Sequence, residues 1–216
     1  MRSRHIVRSV TRMWFRLIQI MTIPANAVVT WLLRLTIHRP QNLVVQQGTL
    51  IIANHQSKID PFLISYHIGF KNIFRTIPIR YPVTPEYIRR PLLGKCIQLL
   101  GGYTIGETPI ERLHQLIYTR TLLKSGYTVL LFPEGEINRD SDMVIDFKRG
   151  AHVLFNEQYP ILLVRLTGLN KIHRFRFWKN KGASLTYSEY LDASHSPTDK
   201  IEYMEKFYTD SHERVY

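Results

Sequence analysis

The first 59 residues contain no aspartate or glutamate, and the whole 216-residue chain contains one cysteine, Cys96. A single cysteine excludes an intrachain disulfide framework and a cysteine-rich zinc module, and it fits a compartment that keeps thiols reduced. There is no internal repeat and no low-complexity linker. Charged residues are 21% and apolar residues 44% of the chain, which excludes global disorder. The missing acids make the charge lopsided. Residues 1–106 carry 14 Lys and Arg against two acids, Asp60 and Glu86, while residues 107–216 carry 15 of each sign. The net +12 therefore lies in the first half, and it calls for anionic partners there. Nucleic acid is set aside, because no helix-turn-helix, RNP or zinc-finger pattern accompanies the charge.

The basic start is also apolar. Arg8, Arg12 and Arg16 share one face of a helix, and the 17 residues from Leu17 to Leu33 carry no charge. That run lies at the lower limit for crossing a bilayer, and Pro24 breaks it into two pieces. A secretory leader ending near Ala25-Asn26-Ala27 would have too short an apolar core. Residues 1–39 are thus expected to form a two-helix element that lies on or dips into one leaflet.

Residues 40–216 alternate strand and helix signals. Strands are expected at Leu43–Val45, Leu50–Ala53, Ile73–Ile79, Thr128–Phe132, Ile161–Leu166, Arg174–Phe177 and Leu185–Tyr190. Helices are expected at Pro61–Ile68 with Asp60 as N-cap, and at Pro91–Leu100, where Cys96 reads as a core residue. Further helices are expected at Ala151–Glu157, after Ser196-Pro197-Thr198-Asp199, and from Pro109 to Lys124. The last begins with a capping box, Thr108-Pro109-Ile110-Glu111, and Gly126 ends it. The pattern predicts an α/β domain with a mostly parallel sheet flanked by helices.

Two strand ends carry polar groups. Asn54-His55-Gln56-Ser57-Lys58-Ile59-Asp60 follows the strand ending at Ala53, where α/β domains place reactive groups. Four residues between His55 and Asp60 allow a turn that brings the carboxylate back onto the imidazole. A carboxylate on one ring nitrogen makes the other a base able to deprotonate a hydroxyl directly. Phe132-Pro133-Glu134-Gly135 follows a second buried strand, and Phe147-Lys148-Arg149-Gly150 puts two cations at a helix start. His114 reads as a surface residue and His152 as a partly buried one. No cluster of His, Asp and Glu suggests a metal.

In this order and spacing, the motifs resemble those of the glycerolipid acyltransferase family, which contains 1-acylglycerol-3-phosphate acyltransferase. The resemblance runs from about Leu43 to Val164. It implies that His55 is the general base and Asp60 its orienting partner. It also implies that Asn54, Ser57, Phe132, Pro133, Glu134, Gly135, Arg139 and Lys148 contribute to the substrate site. No cofactor is implied. The donor is expected to be acyl-CoA or acyl carrier protein, and the acceptor a membrane lipid hydroxyl. That acceptor is expected to be 1-acylglycerol-3-phosphate, another lyso- or non-phosphorylated lipid being the alternative, with a non-catalytic lipid binder as the other reading. The location implied is the cytoplasmic face of an anionic membrane, the inner membrane if bacterial.

The sequence departs from the family pattern where a phosphate-binding arginine is expected. Glu107 occupies that place, and Glu136-Ile137-Asn138 follows Phe-Pro-Glu-Gly in place of Thr-Arg-Ser. Leu163 stands where the fourth motif has proline. Arg80, Arg112, Arg139 and Lys148 are the candidate replacement cations.

Overall fold

The computed structural model describes residues 2–138, 148–171 and 183–209. The expected strand Arg174–Phe177 and the residues Arg139 and Phe147 lie outside them. Two helices open the chain, α1 (Arg2–Met21) and α2 (Ile23–Leu33). They meet at Thr22, and Pro24 sits in the first turn of α2, where its missing N–H costs no helical bond.

The remaining elements form one seven-stranded sheet with helices on both faces. The strands are β1 (Thr36–His38), β2 (Leu50–Ala53), β3 (Ile79–Val83), β4 (Gly102–Thr104), β5 (Thr128–Leu131), β6 (Ile161–Thr167) and β7 (Ser184–Leu191). Their spatial order is β1-β7-β6-β2-β5-β3-β4. Every pairing is parallel except β6 with β7. The helices after β1 are α3 (Asp60–His67), α4 (Phe70–Thr76), α5 (Pro85–Ile88), α6 (Pro91–Leu99), α7 (Pro109–Lys124), α8 (Arg149–Phe155) and α9 (Pro197–Thr209).

Strand alternation splits the core into two layers. Ile51, Ala53, Leu130, Leu162 and Val164 face Leu63 and Ile64 of α3 and Ile73 of α4. Leu50, Ile52, Val129, Ile161 and Leu163 face Leu122 and Leu123 of α7, Leu154 of α8 and Met204 of α9. β2 therefore runs through the centre, buried on both sides, as a parallel strand must be.

Several expectations need correction. Ile73–Ile79 is not one strand; α4 and the start of β3 share it. The reason lies outside the segment. The buried Asn72 side chain accepts from Val45 N–H (3.0 Å) and donates to the Leu43 and Ile68 carbonyls (2.8 and 3.0 Å). These bonds fix a helical turn against the Leu43–Val45 segment, which takes no strand pairing. The edge strand β1 lies inside the segment expected to be purely helical, and it pairs with β7. Asp60 is the first residue of α3, not its N-cap; Ile59 is the cap and makes no side-chain bond. Cys96 is exposed. α6 buries only Gly94, whose added Cβ would lie 1.9 Å from the Ile88 carbonyl oxygen, so α5 and α6 need a glycine there. The capping box at Thr108 forms as expected, with both reciprocal bonds present.

α2 and α3 are joined by a polar contact. The His67 ring Nε2 lies 2.8 Å from Thr30 Oγ1. Burial, and after it the charge of Arg39, lower the His67 pKa from 6.5 to about 4. The folded state thus holds this ring neutral, while the unfolded chain protonates it near 6.5. Stability should fall as pH drops from 6.5 towards 4 and be flat above. Melting of the wild type and of His67→Gln across that range should show a smaller acid-side loss in the variant. Asn72→Ala should cost about 2–3 kcal/mol in urea unfolding, because it orphans the buried Val45 N–H and two carbonyls.

Candidate active site

The two site loops leave the carboxyl ends of β2 and β5, adjacent parallel strands at the middle of the sheet. The loop from Asn54 to Asp60 folds around one carboxylate. Asp60, fully buried, accepts through Oδ2 from His55 Nδ1 (2.9 Å), Gln56 N–H (2.7 Å) and Ser57 N–H (2.8 Å). Its Oδ1 accepts from Ser57 Oγ at 2.5 Å. A carboxylate partner requires Nδ1 to carry the proton, so Nε2 presents its lone pair. Among the described residues Nε2 has no hydrogen-bond partner, and 18% of the His55 side chain is exposed.

The second loop holds the imidazole in place. The Phe132 ring stacks on it with centroids 4.0 Å apart and planes 18° apart. Glu134 is buried, and its Oε2 accepts from His55 N–H at 3.2 Å. Asn138 N–H donates to the His55 carbonyl at 2.7 Å. His55 is thereby fixed at ring, amide and carbonyl.

Phe132–Gly135 is a turn closed by Gly135 N–H to the Phe132 carbonyl (3.2 Å), with Gly135 at φ +74°. That backbone conformation selects glycine. The Lys148 stem crosses directly over Gly135, and the Lys148 N–H donates to the Pro133 carbonyl at 2.9 Å. Its ammonium lies 3.9 Å from Glu136 Oε1, both side chains about two-thirds exposed.

Asn54 does not face substrate space. It is buried, and its amide pairs with both backbone groups of Leu166 (2.8 and 2.7 Å), extending the β2–β6 ladder by a side chain. Ser57 likewise spends its hydroxyl on Asp60. Arg80 sits at the second position of β3, beside Val129 and hence level with Leu50 at the amino end of β2. It is roughly 16 Å from the His55 level along the strands, too far to share that site. Arg112 donates from Nε to the Gly106 carbonyl at 3.3 Å. Glu107, the carboxylate in the expected arginine position, is engaged by both terminal nitrogens of Arg89 at 3.0 Å. His114 and His152 are exposed.

Three contributors escaped the sequence reading. Lys58, inside the His55 loop, places its ammonium 4.8 Å from the centre of the Tyr87 ring on α5. Arg89 neutralises Glu107. Tyr208 on α9 donates its hydroxyl towards the Ile52 and Val164 carbonyls (3.0 and 3.1 Å), bracing β2 against β6 beneath the site. Burial, and after it the Glu134 charge, push the Tyr208 pKa far above the usual tyrosine range. The position of Lys58 in the loop was a usable signal; Tyr208 had none, lying 156 residues from Ile52.

The site is a buried carboxylate behind an imidazole whose second ring nitrogen is open, at the carboxyl edge of a parallel sheet. Residues 34–165 match the family model described as Acyltransferase, and the chain belongs to that family. It is 24% identical over 186 residues to a 1-acyl-sn-glycerol-3-phosphate acyltransferase of Limnanthes douglasii. That match covers 82% of this chain, and it spans only 62% of the length of that curated relative. The crystal structure of the 1-acyl-sn-glycerophosphate (LPA) acyltransferase PlsC from Thermotoga maritima matches the fold with a TM-score of 0.59 at 19% identity. It covers 96% of this chain and 95% of that one.

Asp60→Ala should destabilise the chain by about 3 kcal/mol or more, because it strands the Gln56 and Ser57 amides as well as His55. Ser57→Ala should cost about 1 kcal/mol, since those amides stay paired. Urea midpoints measure both.

Proposed function

We propose that the chain transfers an acyl group from an acyl thioester to the hydroxyl of a membrane lysophospholipid, with 1-acylglycerol-3-phosphate as the favoured acceptor. The observation that carries this reading is the His55 ring, held by Asp60 on one side with Nε2 open on the other. Nε2 takes the proton of the acceptor hydroxyl as its oxygen attacks the thioester carbonyl. Collapse of the tetrahedral intermediate breaks the carbon–sulfur bond, and the imidazolium returns the proton to the departing thiolate. Asp60 stabilises the transient imidazolium without leaving its backbone donors.

Two features support a lipid acceptor. The stretch Thr11–Leu33 is long and apolar enough, by length and composition, to cross a membrane (mean hydropathy 1.3). It exposes Met13, Trp14, Leu17, Met21, Val28 and Trp31. The opposite face of α1 is bound to the domain: Gln19 bonds the Ile79 amide and carbonyl (2.9 and 2.8 Å) and the Leu100 carbonyl (3.0 Å). A helix so tied lies along the domain and docks on the cytoplasmic leaflet through its apolar side. Beneath the α1–α2 bend, a mainly apolar cleft lined by Ile23, Pro61, Phe62, Tyr66, Ile77 and Leu100 reaches the residue after Asp60. It offers an acyl chain an apolar wall between the helix pair and α3.

Lys58 and Lys148 flank the site and are the cations we assign to the acceptor phosphate; Arg89 is already committed to Glu107. The donor, acyl-CoA or acyl carrier protein, brings the negative charge that the basic first half suits. Free thiol released in mixed micelles should fall about a hundredfold to ten-thousandfold in His55→Ala with folding unchanged. Full activity of that variant would overturn the mechanism. Lys58→Gln should raise KM for 1-acylglycerol-3-phosphate more than for an uncharged lysolipid; equal changes would remove Lys58 from phosphate binding.

A further inference from the structure

A second group of cations, all arginines, lies at the opposite edge of the sheet. Arg80 is buried, with its guanidinium 4.5 Å from the centre of the Phe15 ring and 6.0 Å from that of Tyr103. Phe15 lies on α1 between Arg12 and Arg16. Arg12 rests on the Tyr127 ring at 4.8 Å and donates to the Gly126 carbonyl at 2.8 Å. Arg16 donates from Nε to the Ile77 carbonyl at 2.9 Å, three residues before Arg80. Phe15 thus links the buried Arg80 to the turn of α1 that carries Arg12 and Arg16, and the latter two bond carbonyls just before β5 and β3.

No carboxylate among the described residues pairs with any of them. Among the described residues the buried Nε atoms of Arg12 and Arg80 find no hydrogen-bond partner, although the Arg12 terminal nitrogens also reach the Ser125 carbonyl and Gln47 Oε1 (3.5 and 3.3 Å). Burial, and after it the Arg16 charge, lower the Arg12 pKa. Aromatic faces recover about 1–2 kcal/mol for a partly desolvated cation. They do not replace a counter-ion for the neighbouring Arg12 and Arg16 or for the buried Arg80. The fold has thus assembled cationic donors for an anion that the described residues do not provide. Guanidinium groups match phosphate oxygens in geometry as well as charge. Met13, Trp14 and Leu17, adjacent in sequence to Arg12 and Arg16, are exposed apolar residues, so the cluster lies at headgroup level when α1 docks.

We propose that Arg12, Arg16 and Arg80 form a binding site for the phosphate of an anionic phospholipid headgroup, separate from the His55 site. The site rests on the reading that α1 docks on a membrane, and it requires no acyl transfer. A bound phosphate would add to the polar contacts that already seat α1 on the domain, coupling the helix pair to the composition of the bilayer.

The test uses the full chain with no donor or acceptor. Sedimentation is measured with phosphatidylcholine vesicles, alone or mixed with phosphatidylglycerol, and melting with and without inorganic phosphate. The wild type should prefer the anionic vesicles by about tenfold or more, and phosphate should raise its melting temperature. Arg80→Met should lose most of the preference and the phosphate response while keeping its binding to neutral vesicles. Arg16→Gln, at a partly exposed position, should weaken both in the same direction and decides the matter if Arg80→Met does not fold. A variant that loses the phosphate response but keeps the full vesicle preference overturns the lipid source in favour of a soluble phosphate. Unchanged vesicle preference and unchanged phosphate response in the variants overturn the site. Because binding alone is read, a chain that binds as expected but releases no thiol in the acyl-transfer assay would overturn the proposed activity and leave this site standing.

Discussion

The Asp60 carboxylate, buried and accepting four hydrogen bonds, is the interaction on which the site depends. Two of its donors are backbone amides, so it dictates the course of the loop before it orients any side chain. The His55 ring is the last group added, at the end of a turn already closed by the Gln56 and Ser57 amides. A buried carboxylate is tolerated only when its lone pairs are filled, and here the filling fixes the imidazole. The Phe132 stack and the Glu134 bond then join the loops of β2 and β5, so neither could be repositioned without the other.

The sheet supplies the rigidity that this arrangement needs. β2 is central and fully buried, with Asn54 continuing the ladder through its side chain to Leu166 and Tyr208 bridging β2 to β6 from the opposite layer. Packed strands transmit their position to the loop that follows, and the His55 ring inherits the precision of the core.

The N-terminal helices are bound by polar contacts to the amino-side edge of the sheet and present apolar residues outward. This arrangement divides the charge of the first half into separate uses. Lys58 and Arg89 lie at the carboxyl edge, while Arg12, Arg16 and Arg80 lie at the amino edge, where no acid among the described residues pairs with them. A single net figure of +12 concealed two separate cationic regions.

His55, Asp60 and the Phe-Pro-Glu-Gly turn were legible in the sequence, because short-range spacing after an apolar run is enough to form a turn and orient its polar groups. So were the α/β class and the capping box of α7, which rest on local periodicity and local hydrogen bonds. Other features depended on partners far along the chain. Ile73–Ile79 has strand-like composition, yet Asn72 binds Leu43 and Val45 and holds a helix there. Cys96 and its leucine neighbours have a core-like pattern, yet α6 buries only Gly94 and turns Ile97 partly onto the core. Arg80 looked like an active-site cation until the strand register placed it at the wrong edge. The sequence by itself determined which groups can react and which local turns they occupy, because those follow from neighbours a few residues away. Only the tertiary structure decided which cations share a site, since that depends on register and packing between segments a hundred residues apart.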